Sequence, residues 1–132
     1  MTQWARRLAL VLVLLPAAPA WPARPGQAAE AAPLRCGWFQ NPTPGNAWLT
    51  DRDGEWTVGV QGSLQADGDW PTFAQARWVR TNGNYGYGCA CMRVRAQAQG
   101  RPEQRVLRIV SASSRPLQAC RRDRRLSEPK LD

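Results

Sequence analysis

The stretch Arg77-Trp78-Val79-Arg80-Thr81-Asn82-Gly83-Asn84-Tyr85-Gly86-Tyr87-Gly88-Cys89-Ala90-Cys91 decides how this chain folds. Asn82-Gly83 is a strong hairpin signal, because a two-residue type I′ turn needs positive φ at both central positions. With the turn there, Trp78 is expected opposite Tyr87 and Arg80 opposite Tyr85. Those four side chains then share one face, and Cys89 and Cys91 continue it. The other face carries Val79, Gly86, Gly88, Ala90, Met92 and Val94, whose small members would let another strand or sheet approach closely. The second strand is read as running on to about Arg95.

Cys89 and Cys91 belong to an even set completed by Cys36 and Cys120. In an exported chain such a set implies disulfides. Joining Cys89 to Cys91 would close a tiny, strained ring. Two pairings stay open: Cys36–Cys91 with Cys89–Cys120, or Cys36–Cys89 with Cys91–Cys120. Either one staples the central strand to both ends of the domain. The closed loops are about 30 to 55 residues long, worth about 3–4 kcal/mol each in the chain-entropy account. A Cys₄ metal site is disfavoured because the paired C-x₂-C knuckles are missing. A redox pair would want C-x-x-C at a helix start.

Upstream, Ala47-Trp48-Leu49-Thr50-Asp51-Arg52-Asp53-Gly54-Glu55-Trp56-Thr57-Val58-Gly59-Val60 reads as a second hairpin, turning at Asp53-Gly54. This register sets Arg52 opposite Glu55, Thr50 opposite Thr57, and Trp48 opposite Gly59, whose bare backbone it would cover. Asp51 then meets Trp56, Leu49 meets Val58 and Ala47 meets Val60 on the core side. Downstream, Arg105-Val106-Leu107-Arg108-Ile109-Val110-Ser111 is a strand apolar on both faces at its middle, as a central strand would be. Asp69-Trp70-Pro71-Thr72-Phe73 is expected to be a turn or a single helical turn. Ser113 or Ser114 is expected to cap a short helix over Pro116–Arg122, with Leu117 and Cys120 facing inward. The fold class is therefore all-β with small α content: a compact antiparallel sheet or barrel of about five strands, with a short C-terminal helix, stapled by disulfides.

The N-terminus reads as an export signal over residues 1–20. Arg6 and Arg7 precede an unbroken apolar run from Leu8 to Leu15, then Pro16, with Ala18-Pro19-Ala20 as the cleavage site. Such a run spans about 12 Å as a helix, too short for a bilayer core of roughly 30 Å. Cleavage is expected after Ala20, the mature chain is expected to lack a transmembrane anchor, and its location is expected to be periplasmic or secreted. Residues 21–34 are read as a flexible leader, 35–126 as a single β domain and 127–132 as a disordered tail. The 132 residues carry 18 Lys and Arg against 10 Asp and Glu, a formal charge of +8, and no His. Without His, the usual Ser-His and Cys-His pairs and His-ligated zinc are excluded.

Arg35-Cys36-Gly37-Trp38-Phe39, Asn41-Pro42-Thr43-Pro44-Gly45-Asn46, Trp48-Leu49-Thr50-Asp51, Gly54-Glu55-Trp56 and Asn82 to Cys91 form a set of long, peculiar motifs. Through them the chain resembles a family of small exported proteobacterial proteins known as domain of unknown function 4087. The resemblance runs from about Arg35 to Leu126. It implies an envelope or secreted location and one module, and it brings no activity, ligand or catalytic residue.

Three constellations bear on function. Charge is uneven: Arg93 to Asp132 holds 11 basic and 4 acidic residues, whereas Cys36 to Met92 holds 3 and 5. The basic half would suit phosphate-rich sugars, anionic headgroups or an acidic partner; a merely soluble basic surface explains it as simply. Nine of the eleven aromatic residues lie between Trp38 and Tyr87. Trp48, Trp78, Arg80, Tyr85 and Tyr87 are the candidate ligand-binding residues, since the expected registers place them off the apolar face. The competing reading is that these rings fill a small core or cover the disulfides. Asp51, Asp53 and Glu55 hint at a calcium loop but fall short of its twelve-residue pattern, and a solvated hairpin rim accounts for them. No catalytic residue, metal site or cofactor is expected. Asn41–Asn46 is a rigid turn that could serve recognition. The chain is thus expected to be a non-enzymatic exported module for an envelope glycan or a periplasmic protein, an envelope hydrolase included, with nucleic acid a poor partner. The alternative is a structural or stress-tolerance envelope protein with no specific ligand.

Overall fold

The computed structural model describes residues 17, 19–22, 32–97 and 104–130. Most of the expected export signal and leader lie outside them, as does the turn read at Gly100-Arg101-Pro102. Six strands run in chain order: β1 (Leu34–Thr43), β2 (Asn46–Asp51), β3 (Gly54–Gly59), β4 (Trp78–Asn82), β5 (Tyr85–Ala96) and β6 (Gln104–Arg115). A 3₁₀ turn (Gln75–Arg77) precedes β4, and one helix, α1 (Leu117–Arg121), follows β6. The sheet order is β1-β2-β3-β6-β5-β4, and β1 also pairs with β5. Five strands therefore close into a barrel, with β4 added on the outside of the ring. All pairings are antiparallel except β3 with β6. Leaving β4 aside, this strand order with one parallel closure is that of the five-stranded Greek-key barrels of the OB type.

The barrel core follows from alternation. Phe39, Ala47, Leu49, Trp56, Val58, Ala90, Met92, Val94, Val106 and Ile109 point inward and pack together. Strand β6, read as apolar on both faces at its middle, buries Val106 and Ile109 in the barrel and leaves the other face more open. It pairs with β5 through bulges next to Val94 and Ala96, which set Ile109 opposite Val94 and Val106 opposite Ala96. An extra residue in a strand breaks the period of two. Val106 and Ile109, three apart, therefore both face inward, and Leu107 is left exposed.

β5 is the spine. Its first residues pair with β4 and the rest with β6 along one edge, while β1 lines the other. Both of its faces are buried, because Trp38, Tyr87, Cys89 and Cys120 form a second apolar cluster outside the barrel. Helix α1 covers that cluster and contributes Leu117 and Cys120, as the sequence predicts. The expected serine cap does not form. Ser113 and Ser114 belong to β6, and Pro116 stands at the helix N-cap without a side-chain bond. Of the two disulfide pairings left open, the chain adopts Cys36–Cys91 and Cys89–Cys120. Cys36 lies directly across from Cys91 in the β1–β5 pair, and such directly opposed positions bring Cβ atoms within bridging reach.

Both hairpins have registers other than those read from the turns. In β2–β3 the turn is Arg52-Asp53, with Asp51 opposite Gly54, Leu49 opposite Trp56 and Trp48 opposite Thr57. No described non-glycine residue has positive φ, so Asp53 cannot take the first place of a type I′ turn, while Gly54 sits at φ 123°. Asp51 closes the turn from within: its Oδ1 accepts the Asp53 N–H at 2.8 Å and the Trp56 Nε1–H at 3.0 Å. The slide is two residues, so the faces survive. The Arg52–Glu55 pair is lost, and the Gln65 side chain, not Trp48, covers Gly59. In β4–β5 the turn is Gly83-Asn84 with Gly83 at φ 58°. Trp78 lies opposite Gly88, Val79 opposite Tyr87 and Arg80 opposite Gly86. This slide is one residue, which reverses β4 relative to β5. Trp78 thereby packs against the barrel core beside Phe73 instead of on Tyr87.

Candidate functional site

The reversed register of β4 creates a distinctive concavity. Trp78 stacks obliquely on Phe73, with ring centroids 4.7 Å apart. Phe73 in turn lies 6.0 Å from Phe39, whose other neighbour is Trp70 at 5.8 Å. The segment carrying Trp70-Pro71-Thr72-Phe73 is neither helix nor strand, and the 3₁₀ turn comes after it. Its two rings pack on Phe39, and Phe73 reaches on to Trp78. Trp70, Phe73 and Trp78 remain half-buried. They border two adjoining pockets of about 530 and 270 Å³ that share Phe73, Trp78 and Asn84. Polar groups rim the rings: Gln75 and Arg80 on one side, Asn41 on the other, with Asn84 between. Asn41 uses its amide N–H groups on the carbonyls of Thr43 and Asn46, at 2.8 and 2.7 Å, which leaves its side-chain carbonyl turned to other use. Trp78 Nε1 donates to the Asn84 carbonyl at 3.1 Å, tying the ring to the hairpin turn.

The five sequence-predicted ligand residues do not gather in one place. Trp78 and Arg80 border the groove. Trp48 is half-buried on the outer face of the barrel, opposite Gln40 and Thr57. Tyr85 sits at the turn opposite Asn82, with no ring contact to Arg80. Tyr87 is buried edge-on against Trp38, centroids 5.4 Å apart, and covers the disulfide side of β5. Trp78 and Arg80 thus face away from Tyr85 and Tyr87, because one step of register separates them. Sequence reading missed Trp70, Phe73, Gln75 and Asn84, while Asn41 belongs to the turn it raised for recognition. Two aromatic residues bracketing Pro71 in a polar loop were the available signal.

The second concavity is charged and lies between the β2–β3 turn and the segment after α1. Its volume is about 540 Å³. Arg35 crosses its floor, stacked 3.5 Å over Trp56, and donates to Asp51 at 2.8 Å and Asp53 at 3.0 Å. Arg52 binds Asp123 through two N–H groups at 3.0 and 3.1 Å. The Arg125 N–H first, then Arg52, hold the Asp123 carboxyl below the usual carboxylate range. Within the segment read as a disordered tail, Glu128 makes hydrogen bonds. Glu128 accepts from Arg121 at 2.8 Å and from the Tyr87 hydroxyl at 3.0 Å. Those hydrogen bonds, Arg121's foremost, keep the Glu128 carboxyl below its ordinary value. Burial, then Glu128, raises the Tyr87 hydroxyl above its own. Two of the acidic residues that hinted at calcium, Asp51 and Asp53, are thus engaged by Arg35, and among the described residues no three potential ligands gather to hold a metal ion.

Residues 30–127 match the family model described as "Protein of unknown function (DUF4087)". The chain belongs to that family. No curated protein and no solved structure matches it. The DUF4087 description carries no activity, so the chemistry of this member rests on the two concavities. Its two disulfides require an oxidising compartment, and among the described residues no helix is long and apolar enough to cross a membrane.

Proposed function

We propose that this DUF4087 member is an exported, non-enzymatic binding module of the bacterial envelope, and that the groove of Trp70, Phe73 and Trp78 holds a glycan. One observation carries the reading: the partly exposed, stacked rings of Phe73 and Trp78 stand beside Gln75, Asn84 and the Arg80 guanidinium, and Trp70 borders the adjoining pocket. Sugar rings present apolar C–H faces that stack on aromatic rings and hydroxyls that need donors and acceptors at the rim, which is the composition of this groove. The export signal read over residues 1–20 delivers the chain to the compartment where envelope glycans are found, and the disulfides are compatible with it. Barrels of the OB type bind oligosaccharides in other proteins. That is analogy of fold, and the groove here lies on the added strand β4, so the argument stays with the residues.

The test is tryptophan fluorescence on titration with soluble peptidoglycan fragments and lipopolysaccharide core oligosaccharides. A saturable change is expected, lost in Trp78→Ala. It should be weakened about tenfold in Arg80→Ala, whose exposed side chain no folded contact requires, since hydrogen bonds to charged groups are worth roughly 1.5–3 kcal/mol. No response from the folded wild-type protein to any of these glycans would remove the reading.

A further inference from the structure

The charged concavity shares no lining residue with the aromatic groove, and it has chemistry of its own. Four arginines line it, Arg35, Arg52, Arg115 and Arg125, against three aspartates. Every aspartate is committed. Asp51 serves Arg35, Trp56 and the Asp53 amide; Asp53 serves Arg35; Asp123 serves Arg52 and the Arg125 amide. The arginines are not all committed. Among the described residues Arg115, at the end of β6, donates to the Cys91 sulfur at 3.6 Å, and the Arg125 guanidinium feels Asp123 through space without a hydrogen bond or ion pair to it. Two guanidinium forks from different segments, neither donating to a carboxylate, therefore enter a pocket whose own acids are occupied. Guanidinium forks match oxyanions with several acceptor oxygens. The volume exceeds that of a bare ion, and Leu34, Ala119 and Leu126 supply apolar wall for what the anion is attached to.

We propose that this pocket binds a phosphate group through Arg115 and Arg125. Each guanidinium donates to the phosphoryl oxygens, while the Arg35–Asp51–Asp53 and Arg52–Asp123 pairs hold the frame. The site is independent of the glycan groove and survives if that reading fails.

The experiment is a titration of the oxidised protein with inorganic phosphate, followed by amide ¹H–¹⁵N shifts. Saturable shifts are expected in residues 34–36 and 115–126. The double variant Arg115→Gln/Arg125→Gln should weaken binding at least about tenfold, given the strength of charge-assisted pairs. Arg95→Gln/Arg108→Gln, which removes the same charge from exposed positions elsewhere, should change it less than about twofold. Arg125→Gln alone, which removes no folded side-chain hydrogen bond among the described residues, should weaken it too. Equal loss in both double variants, or shifts that never saturate, would overturn the site in favour of diffuse cationic attraction. Co-sedimentation with phosphatidic acid vesicles distinguishes the sources. Retention lost in Arg115→Gln/Arg125→Gln assigns the phosphate to a lipid headgroup; saturable phosphate binding without retention assigns it to a soluble phosphorylated molecule. Neither arginine touches the aromatic groove, so the fluorescence response to glycans stays unchanged in these variants.

Discussion

Asp51 is the residue on which most local structure converges. Its carboxylate is buried, and it holds Arg35, the Trp56 indole and the β2–β3 turn at once. A buried ion pair loses strongly when one member is removed, since the survivor stays desolvated. Asp51→Ala is therefore expected to cost about 3 kcal/mol or more, read as a lowered urea midpoint. Asp53→Ala, whose carboxylate is 66% exposed, is expected to cost less than about 1 kcal/mol. Equal losses would show that Arg35 is not held from below. The hairpin reading sets Asp51 on the core side and Asp53 in the turn; what the local sequence does not show is Arg35, which arrives from β1. Gly88 is the other telling position. A Cβ there would come within 2.5 Å of the Phe73 ring and 2.7 Å of the Arg77 carbonyl. Gly88→Ala should destabilise by about 1–3 kcal/mol, as overpacking does. It should also blunt the glycan response by displacing Phe73. The sequence did mark this face of β5 as one open to close approach, without indicating that an aromatic loop would occupy it.

At the scale of elements, strand identity was legible and strand register was not. Alternation assigns Leu49, Trp56 and Val58 to the core whichever turn is chosen, so a two-residue slide in β2–β3 leaves their burial unchanged. The one-residue slide in β4–β5 moves Trp78 to the other face, and with it most of the candidate site. Asn82-Gly83 signals a turn at that place, but Gly83 alone takes positive φ, and the gain from packing Trp78 on the barrel decides the rest. The C-terminal elements are held covalently and by charge. Replacing Cys89 and Cys120 by Ala removes a crosslink of sequence separation 31. The expected loss is about 3–4 kcal/mol, checked by urea unfolding against wild type. Glu128 adds a pH-dependent hold. Its folded carboxyl lies below the ordinary value. The stability it contributes is therefore present above the unfolded glutamate pKa and is lost as pH falls through the folded one. Thermal melts of Glu128→Gln should match wild type near pH 2 and fall below it near pH 7. A constant offset at both pH values would mean that the carboxylate is not what pins the tail.

The whole molecule is a barrel of uneven strength. β5 is paired on both edges, covered on both faces and tied by both disulfides. The opposite seam, where β3 meets β6, has only Trp56–Gln104 and Thr57–Arg105 paired in parallel. It is helped by Asp67, which exchanges backbone bonds with Leu107 and Ile109 at 3.1 and 2.7 Å. This closure left no mark in the sequence. It joins strands far apart in the chain and has no turn to announce it. Local opening free energies follow local pairing and burial. Native-state amide exchange should therefore be slowest in β1 and β5. Exchange at the β3–β6 seam should be faster by about tenfold or more, one decade for each 1.4 kcal/mol of easier opening. Reducing both disulfides should narrow that gap, because the spine loses its staples while the seam never had any. Uniform protection around the ring in the oxidised protein would mean instead that the barrel opens only as a whole, and that the spine and the seam are one cooperative unit.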